Sequence, residues 1–162
     1  MMNKVFEVIE AKKIFSFKYN QLEILIHPSS YLHAIVKFNN GLSKLLVHDT
    51  NMTIPIFNSI YFETGKKIKS KKIDIKILNN LDLKKIDHNR FPAIKILNKM
   101  NEKDSLFETV IVSANDKLVS LFLNNKIRFI DISIILLKIC SMTEFNRYKL
   151  IRPKNIGEIN DL

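Results

Sequence analysis

Apolar positions recur at helical spacing over residues 2–14, where Met2, Val5, Phe6 and Ile9 make one stripe, and this predicts a helix. Leu22 to Ile26 is a short apolar run halted by Pro28, and it predicts a buried strand. Two further runs, Ala34 to Phe38 and Leu42 to Val47, flank Asn39-Asn40-Gly41. Asn-Gly between apolar runs supplies the positive φ angles of a tight hairpin turn. Pro55 lies early in another predicted helix through Phe62, where a missing N–H does little harm. Between Glu63 and Lys85 the pattern gives way to lysine, including the run Lys66-Lys67-Ile68-Lys69-Ser70-Lys71-Lys72, and a partly extended linker is expected. Helical spacing returns at Pro92, with Ala93, Ile96 and Met100 on one face. Leu106, Phe107, Val110, Ile111, Ala114, Leu118, Leu121 and Phe122 then mark a long amphipathic helix. Asp131 can cap a third helix with Ile132, Ile135, Leu136 and Ile139 facing inward. The stretch after Pro153 ends at Leu162, where a fourth helix would be useful.

The expected class is α+β: a partial sheet with helices, followed by a small helical bundle. Three pieces are expected, an α+β unit over residues 1–62, a lysine-rich linker over 63–85 and a helical domain over 86–162. Helices between Phe91 and Met142 can bury their stripes against one another and are expected to fold without help. The strands of Met1 to Phe62 leave edges and apolar faces uncovered.

Composition narrows the function. Of 162 residues, 46% are hydrophobic and 26% charged, as in an ordinary soluble domain. Apolar runs such as Ile134 to Leu137 are too short to span a bilayer, and the N-terminus has an early acidic residue and no signal-peptide core. A cytoplasmic protein with no membrane partner is expected. Cys140 is the only cysteine, which excludes an internal disulfide and a cysteine-rich metal site. The net charge of +10 rests on lysine, since the 26 basic residues include only Arg90, Arg128, Arg147 and Arg152 as arginines. A nucleic-acid reader favours arginine, whose planar fork pairs with phosphates and guanine edges. Lysine here accompanies abundant Asn and Ile, a drift of the whole composition, and no nucleic-acid partner is expected.

Candidate chemistry gathers at the first seven residues. Asn3, Lys4 and Glu7 stand at spacings of three and four, on neighbouring parts of one helix face. The start of a helix offers unpaired N–H groups and a positive dipole end to a phosphate. Lys4 adds a point charge, Asn3 a neutral hydrogen-bonding arm, and Glu7 a hard oxygen ligand for Mg²⁺ or Mn²⁺. Ordinary helix-start chemistry uses the same residue types. A second cluster, His27-Pro28-Ser29-Ser30-Tyr31-Leu32-His33, joins a strand to the hairpin. Local spacing places no acidic partner there, so a Ser-His triad is unsupported.

The words of the sequence say more than its periods. Met1-Met2-Asn3-Lys4 followed by Glu7-Val8-Ile9-Glu10-Ala11 resembles the start of the active-site helix in the 1-deoxy-D-xylulose 5-phosphate reductoisomerase family. Ile26-His27-Pro28-Ser29-Ser30 with His33 resembles that family's His-Pro-Gln-Ser stretch and its second histidine. The Asn39-Asn40-Gly41 hairpin follows at the matching distance, and Met52 with Pro55-Ile56 fits the next block. Phe91-Pro92-Ala93-Ile94-Lys95, Ser113-Ala114-Asn115-Asp116 and Lys126-Ile127-Arg128-Phe129-Ile130-Asp131-Ile132 resemble three signatures of the C-terminal helical domain.

The resemblance implies an enzyme that rearranges and reduces 1-deoxy-D-xylulose 5-phosphate to 2-C-methyl-D-erythritol 4-phosphate, in isoprenoid biosynthesis, with NADPH and Mn²⁺ or Mg²⁺. It implies that Asn3 and Lys4 hold the substrate phosphate. Glu7 would be both a metal ligand and a catalytic neighbour of the substrate. Ser30 and His33 would bind substrate, with His33 among the catalytic residues, and Met52 would wall the nicotinamide of the cofactor. Residues 1–62 would be a remnant of the catalytic domain. The family's glycine-rich NADPH-binding domain, two further carboxylate ligands and a lid loop have no counterpart in these residues. Met1 falls inside a family motif, so the chain is expected to be the C-terminal portion of a longer enzyme and inactive alone. Its expected partners are the missing N-terminal half, the phosphorylated sugar and, for the full enzyme, a second copy in a homodimer. A non-catalytic interaction module derived from the same fold is the alternative. Two blocks depart from the pattern. Pro-Asp-Met-Arg-Thr-Pro reads Thr50-Asn51-Met52-Thr53-Ile54-Pro55, and Asn-Ala-Ala-Asn-Glu reads Val112-Ser113-Ala114-Asn115-Asp116.

Overall fold

A computed structural model describes all 162 residues, which divide into two compact units. One unit combines Met1–Ile24 with Ile86–Leu162, and the other is Leu25–Lys85. The chain is α+β, as expected, but its division is not the expected one. The first helix belongs with the C-terminal helices, and the lysine-rich stretch belongs with the hairpin.

The reason lies in burial. Helix α1 (Met2–Phe15) ends at Ser16, whose φ of 56° turns the chain left-handed. Its apolar stripe places Val5, Val8 and Ile9 inside, with Val5 at 0% exposure. Val5 and Ile9 share one core with Ile94 and Ile96 of the 3-10 segment Pro92–Lys99, with Phe107, Ile111 and Leu118 of α4 (Phe107–Leu123), and with Ile132 and Leu136 of α5 (Phe129–Ile139). The C-terminal helices therefore do not close their core by themselves. Each apolar side chain buried there is worth about 1.5–3 kcal/mol, so losing the α1 stripe opens a substantial hole.

The caps explain where these helices start and stop. Ser105 and Glu108 make a buried reciprocal cap for α4: Ser105 N–H and Oγ–H both donate to Glu108 Oε2, at 3.2 and 2.7 Å, and Ser105 Oγ accepts from Phe107 N–H. At the other end Asn125 is left-handed (φ 55°), Lys126 N–H donates to Leu121 O and Asn125 N–H to Phe122 O, a Schellman closure. Asp131 was expected to cap α5 from outside. It lies instead within the first turn, where its carboxylate accepts from Arg128 N–H at 2.9 Å and holds the Arg128 guanidinium. Short helices α6 (Thr143–Asn146) and α7 (Ile156–Asn160) complete the unit, the latter capped by the Asn155 side chain, so a short fourth helix does follow Pro153. No helix of the chain is long and apolar enough to cross a membrane.

In the other unit, β2 (Leu32–Lys37) and β3 (Ser43–Val47) form an antiparallel hairpin. Its turn falls at Asn39-Asn40-Gly41, where the sequence predicts it. Gly41 alone is left-handed (φ 87°), Gly41 N–H donates to Phe38 O, and Phe38 N–H donates to Leu42 O, which closes a three-residue loop. Adjacent strand residues Ile35 and Val36, and Leu45 and Leu46, are all exposed, so both faces of the ribbon are open. The strand expected over 22–26 is only β1 (Leu25–Ile26), and it pairs with β4 (Lys84–Lys85) at the end of the supposed linker. That stretch also contains α3 (Ile75–Asn79), capped by the Asp74 side chain at Ile77 N–H, and Asp74 N–H donates to Tyr31 Oη. Lysine composition suggested a tether; these bonds make it structure. Helix α2 (Thr53–Ile60) carries Pro55 in its first turn, as expected.

Candidate functional site

The six residues singled out from sequence fall into two sets, one in each unit. Asn3, Lys4 and Glu7 occupy the first two turns of α1, whose N-cap is Met1 and has no side-chain cap bond. Asn3 therefore lies inside the helix rather than capping it. The opening N–H groups of α1 receive no capping side chain, the arrangement that suits an anion. Lys4 Nζ lies 2.6 Å from Glu7 Oε2, and both side chains are about half exposed. An exposed pair of this kind is worth about 0–1 kcal/mol, so either partner can be drawn to another ligand at small cost.

Asn3 also borders a cavity of about 500 Å³, with Met2, Arg90, Phe91, Asn115 and Ser133 on its walls. Arg90 and Ser133 were not among the sequence candidates. The signal for this cavity was present in the Phe91-Pro92 and Asn115 words, but their position beside Asn3 follows from the packing of α1 against the C-terminal helices.

In the second unit the His27–Ser30 loop is a turn in which Ser30 N–H donates to His27 O at 3.0 Å and Ser30 is left-handed, φ 51°. A non-glycine residue in this region is held there at a cost of about 1–2 kcal/mol. His27 Nε2 meets Ser29 Oγ at 2.7 Å, while its buried Nδ1 has no hydrogen-bond partner. No carboxylate orients that imidazole, so the pair lacks the third member of a triad.

His33 sits where the β2–β3 register slips: Leu32 pairs with Val47 and Ala34 with Leu46, which makes His33 the extra residue of a β-bulge. Its ring stacks on His48, with centroids 3.6 Å apart and planes 5° from parallel, and its Nε2 lies 3.3 Å from His48 O. His48 was missed in sequence, because nothing in the alternation signals the bulge that brings the two rings together. Met52, at the start of α2, is 66% exposed.

Two cofactor types can be tested against these residues. No group of three or more His, Cys, Asp or Glu side chains is placed to hold a metal ion. Glu7 thus fits one ligand of a hard cation and does not by itself make a site. Gly41 and Gly65 lie in separate turns and Gly157 in α7, so no glycine-rich turn is present to approach a dinucleotide pyrophosphate.

Residues 48–161 match the profile of the DXP reductoisomerase C-terminal domain. The chain is 76% identical over 162 residues to the 1-deoxy-D-xylulose 5-phosphate reductoisomerase of Pelagibacter ubique, covering 100% of this chain and 42% of that protein. The reductoisomerase from Zymomonas mobilis in complex with NADPH superposes with a TM-score of 0.80 at 27% identity, over 99% of this chain and 41% of the other. A DOX-P reductoisomerase in complex with NADPH, fosmidomycin and magnesium gives 0.76 at 26% identity, over 91% and 36%. The chain spans well under half the length of each.

Proposed function

Since this chain belongs to the 1-deoxy-D-xylulose 5-phosphate reductoisomerase family, we propose that it supplies the phosphate-binding end and part of the substrate wall of such an enzyme, whose cofactor-binding portion lies outside these 162 residues. The reaction is the rearrangement and NADPH-dependent reduction of 1-deoxy-D-xylulose 5-phosphate to 2-C-methyl-D-erythritol 4-phosphate. The observation that carries this reading is the Asn3-Lys4-Glu7 set on the uncapped first turns of α1, within a chain that aligns over all of its own 162 residues with the Pelagibacter ubique relative.

Each residue has a task that its chemistry suits. The Lys4 ammonium leaves its exposed pair with Glu7 for the doubly charged substrate phosphate, and the Asn3 amide donates beside it. Glu7, released from Lys4, offers a carboxylate oxygen as one ligand of Mg²⁺ or Mn²⁺. When bound, that cation supplies Lewis-acid polarisation of substrate oxygens. The Ser30 hydroxyl and His33 imidazole hydrogen-bond the substrate, and the exposed Met52 thioether provides an apolar wall for the nicotinamide. By the same family resemblance, the full enzyme acts on a small phosphorylated sugar as a cytoplasmic homodimer.

The test joins this chain to the upstream portion of the Pelagibacter ubique relative and measures NADPH oxidation with 1-deoxy-D-xylulose 5-phosphate and Mn²⁺. The hybrid is expected to turn over and the 162-residue chain alone is not. A folded hybrid without turnover, or turnover by the chain alone, overturns the reading.

A further inference from the structure

We propose that His48 is a positioning residue for His33: the face-to-face stack of the two rings, built by a β-bulge, fixes the ring plane and tautomer with which His33 meets the substrate. The proposal rests on the reading of His33 as a substrate-contacting residue.

Three observations converge on the pair. First, His33 is the extra residue between the Leu32–Val47 and Ala34–Leu46 pairs, and a bulge re-aims the side chain it carries. Second, the rings are 3.6 Å apart and within 5° of parallel, so His48 sets the plane in which the His33 imidazole lies. Third, His33 Nε2 faces the main-chain carbonyl of His48 at 3.3 Å. A carbonyl oxygen can only accept, so Nε2 carries the proton and Nδ1 becomes the acceptor nitrogen of the ring.

His48 is itself held. Its Nδ1 lies against the Asp49 carbonyl, which by the same logic makes it an Nδ1–H tautomer, and its backbone N–H donates to Tyr31 O at 3.3 Å. The Asp49 carboxylate in turn accepts from Lys71 N–H at 3.0 Å. The lysine-rich stretch thus braces the residue next to His48, and the brace reaches His33 through the stack. The chain of contacts runs from the Lys71 backbone to the His33 ring within one compact unit.

The role separates from simple space filling. His48→Phe keeps a flat ring at the stack and leaves the main-chain carbonyl in place. His48→Leu fills a similar volume and also keeps that carbonyl, but offers no flat face to hold the His33 ring with Nε2 in line with it. Imidazole nitrogen spectra of the 162-residue chain should show His33 as the Nε2–H tautomer in the wild type and in His48→Phe, and a mixture of tautomers in His48→Leu. In the hybrid enzyme His48→Leu should lower kcat about two- to tenfold, the size expected of one lost ring pair, with KM moved less. His48→Phe should restore most of the rate. An unchanged tautomer and unchanged kcat in a folded His48→Leu overturn the proposal while leaving the reductoisomerase reading intact. Full turnover by His33→Ala in the same hybrid removes the assigned role of His33, and the proposal falls with it.

Discussion

Lys12 Nζ lies 3.4 Å from Asp104 Oδ1 although 92 positions separate the two residues in sequence. Lys12 is 6% exposed, sits over the Tyr19 ring at 5.3 Å, and shares Asp104 with Lys13, whose Nζ is at 3.1 Å. This knot fastens the last turn of α1 to the loop before α4. Asp104→Ala strands a buried ammonium and should lower stability by about 1–2 kcal/mol, discounted for the half-exposed carboxylate. Lys12→Met removes the charge with the partner's need for it and should cost less. Urea unfolding of the chain followed by circular dichroism compares the two; a larger loss for Lys12→Met contradicts the assignment.

The same carboxylate sets an acid limit. The Lys13 hydrogen bond, joined by the charge of Lys13 and by the hydrogen bond and charge of Lys12, holds the Asp104 carboxyl below the usual carboxylate range against the opposing effect of burial. A lowered folded value means the contribution is present above the ordinary Asp value of about 4 and fades as pH falls through the lowered one. The stability gap between wild type and Asp104→Ala should therefore be constant near neutrality and close below about pH 4. A gap that widens on acidification has the wrong sign.

Val5 belongs to the core that the C-terminal helices cannot complete without α1. Val5→Ala removes two methyl groups from a fully buried position and should cost about 2 kcal/mol, counting the residual cavity. A chain of residues 86–162 alone should lose cooperative thermal unfolding. A sharp calorimetric transition in that piece would show that α1 is dispensable.

Cys140 is 1% exposed, and burial pushes its thiol above the usual range, with only partial relief from Lys149 and Lys99. The thiolate is the reactive form, so an aromatic disulfide reagent should label Cys140 at the global unfolding rate. Rapid labelling in native buffer would mean that α5 opens locally.

In the hybrid enzyme Glu7→Gln should lower kcat at least tenfold and weaken the Mn²⁺ dependence, because a neutral amide is a poor ligand for a hard cation. Lys4→Ala should chiefly raise KM for the phosphorylated substrate. Steady-state kinetics across Mn²⁺ and substrate concentrations separate the two, and identical profiles would merge roles that are distinct here.

Helical spacing in the sequence revealed the stripes of α1, α4 and α5, because each needs only a period near 3.6. It could not reveal what those stripes face. Met2, Val5, Phe6 and Ile9 announce a buried side, yet the other buried members of their core begin only at Ala93. The bulge at His33 was also hidden, because Ala34, Ile35 and Val36 are all apolar and a one-residue slip leaves no break in alternation. Lysine content hid α3 and β4, where a single Asp74 cap and a two-residue pairing outweigh composition. The Asn3-Lys4-Glu7 spacing was legible as helix chemistry, and only the surrounding words tied it to a phosphate.

The discontinuity of the first unit has a temporal side. A ribosome finishes α1 before it makes any residue of Pro92–Leu123, and at about 5–20 residues per second the wait is on the order of ten seconds. During that interval Val5 and Ile9 lack the buried side chains from Ala93 to Cys140 that share their core, although the hairpin unit is already complete in sequence. The nascent chain therefore matures out of order: the middle can settle first, the beginning must wait for the end, and its apolar stripe stays open to chaperones or to neighbouring chains until the last helices emerge.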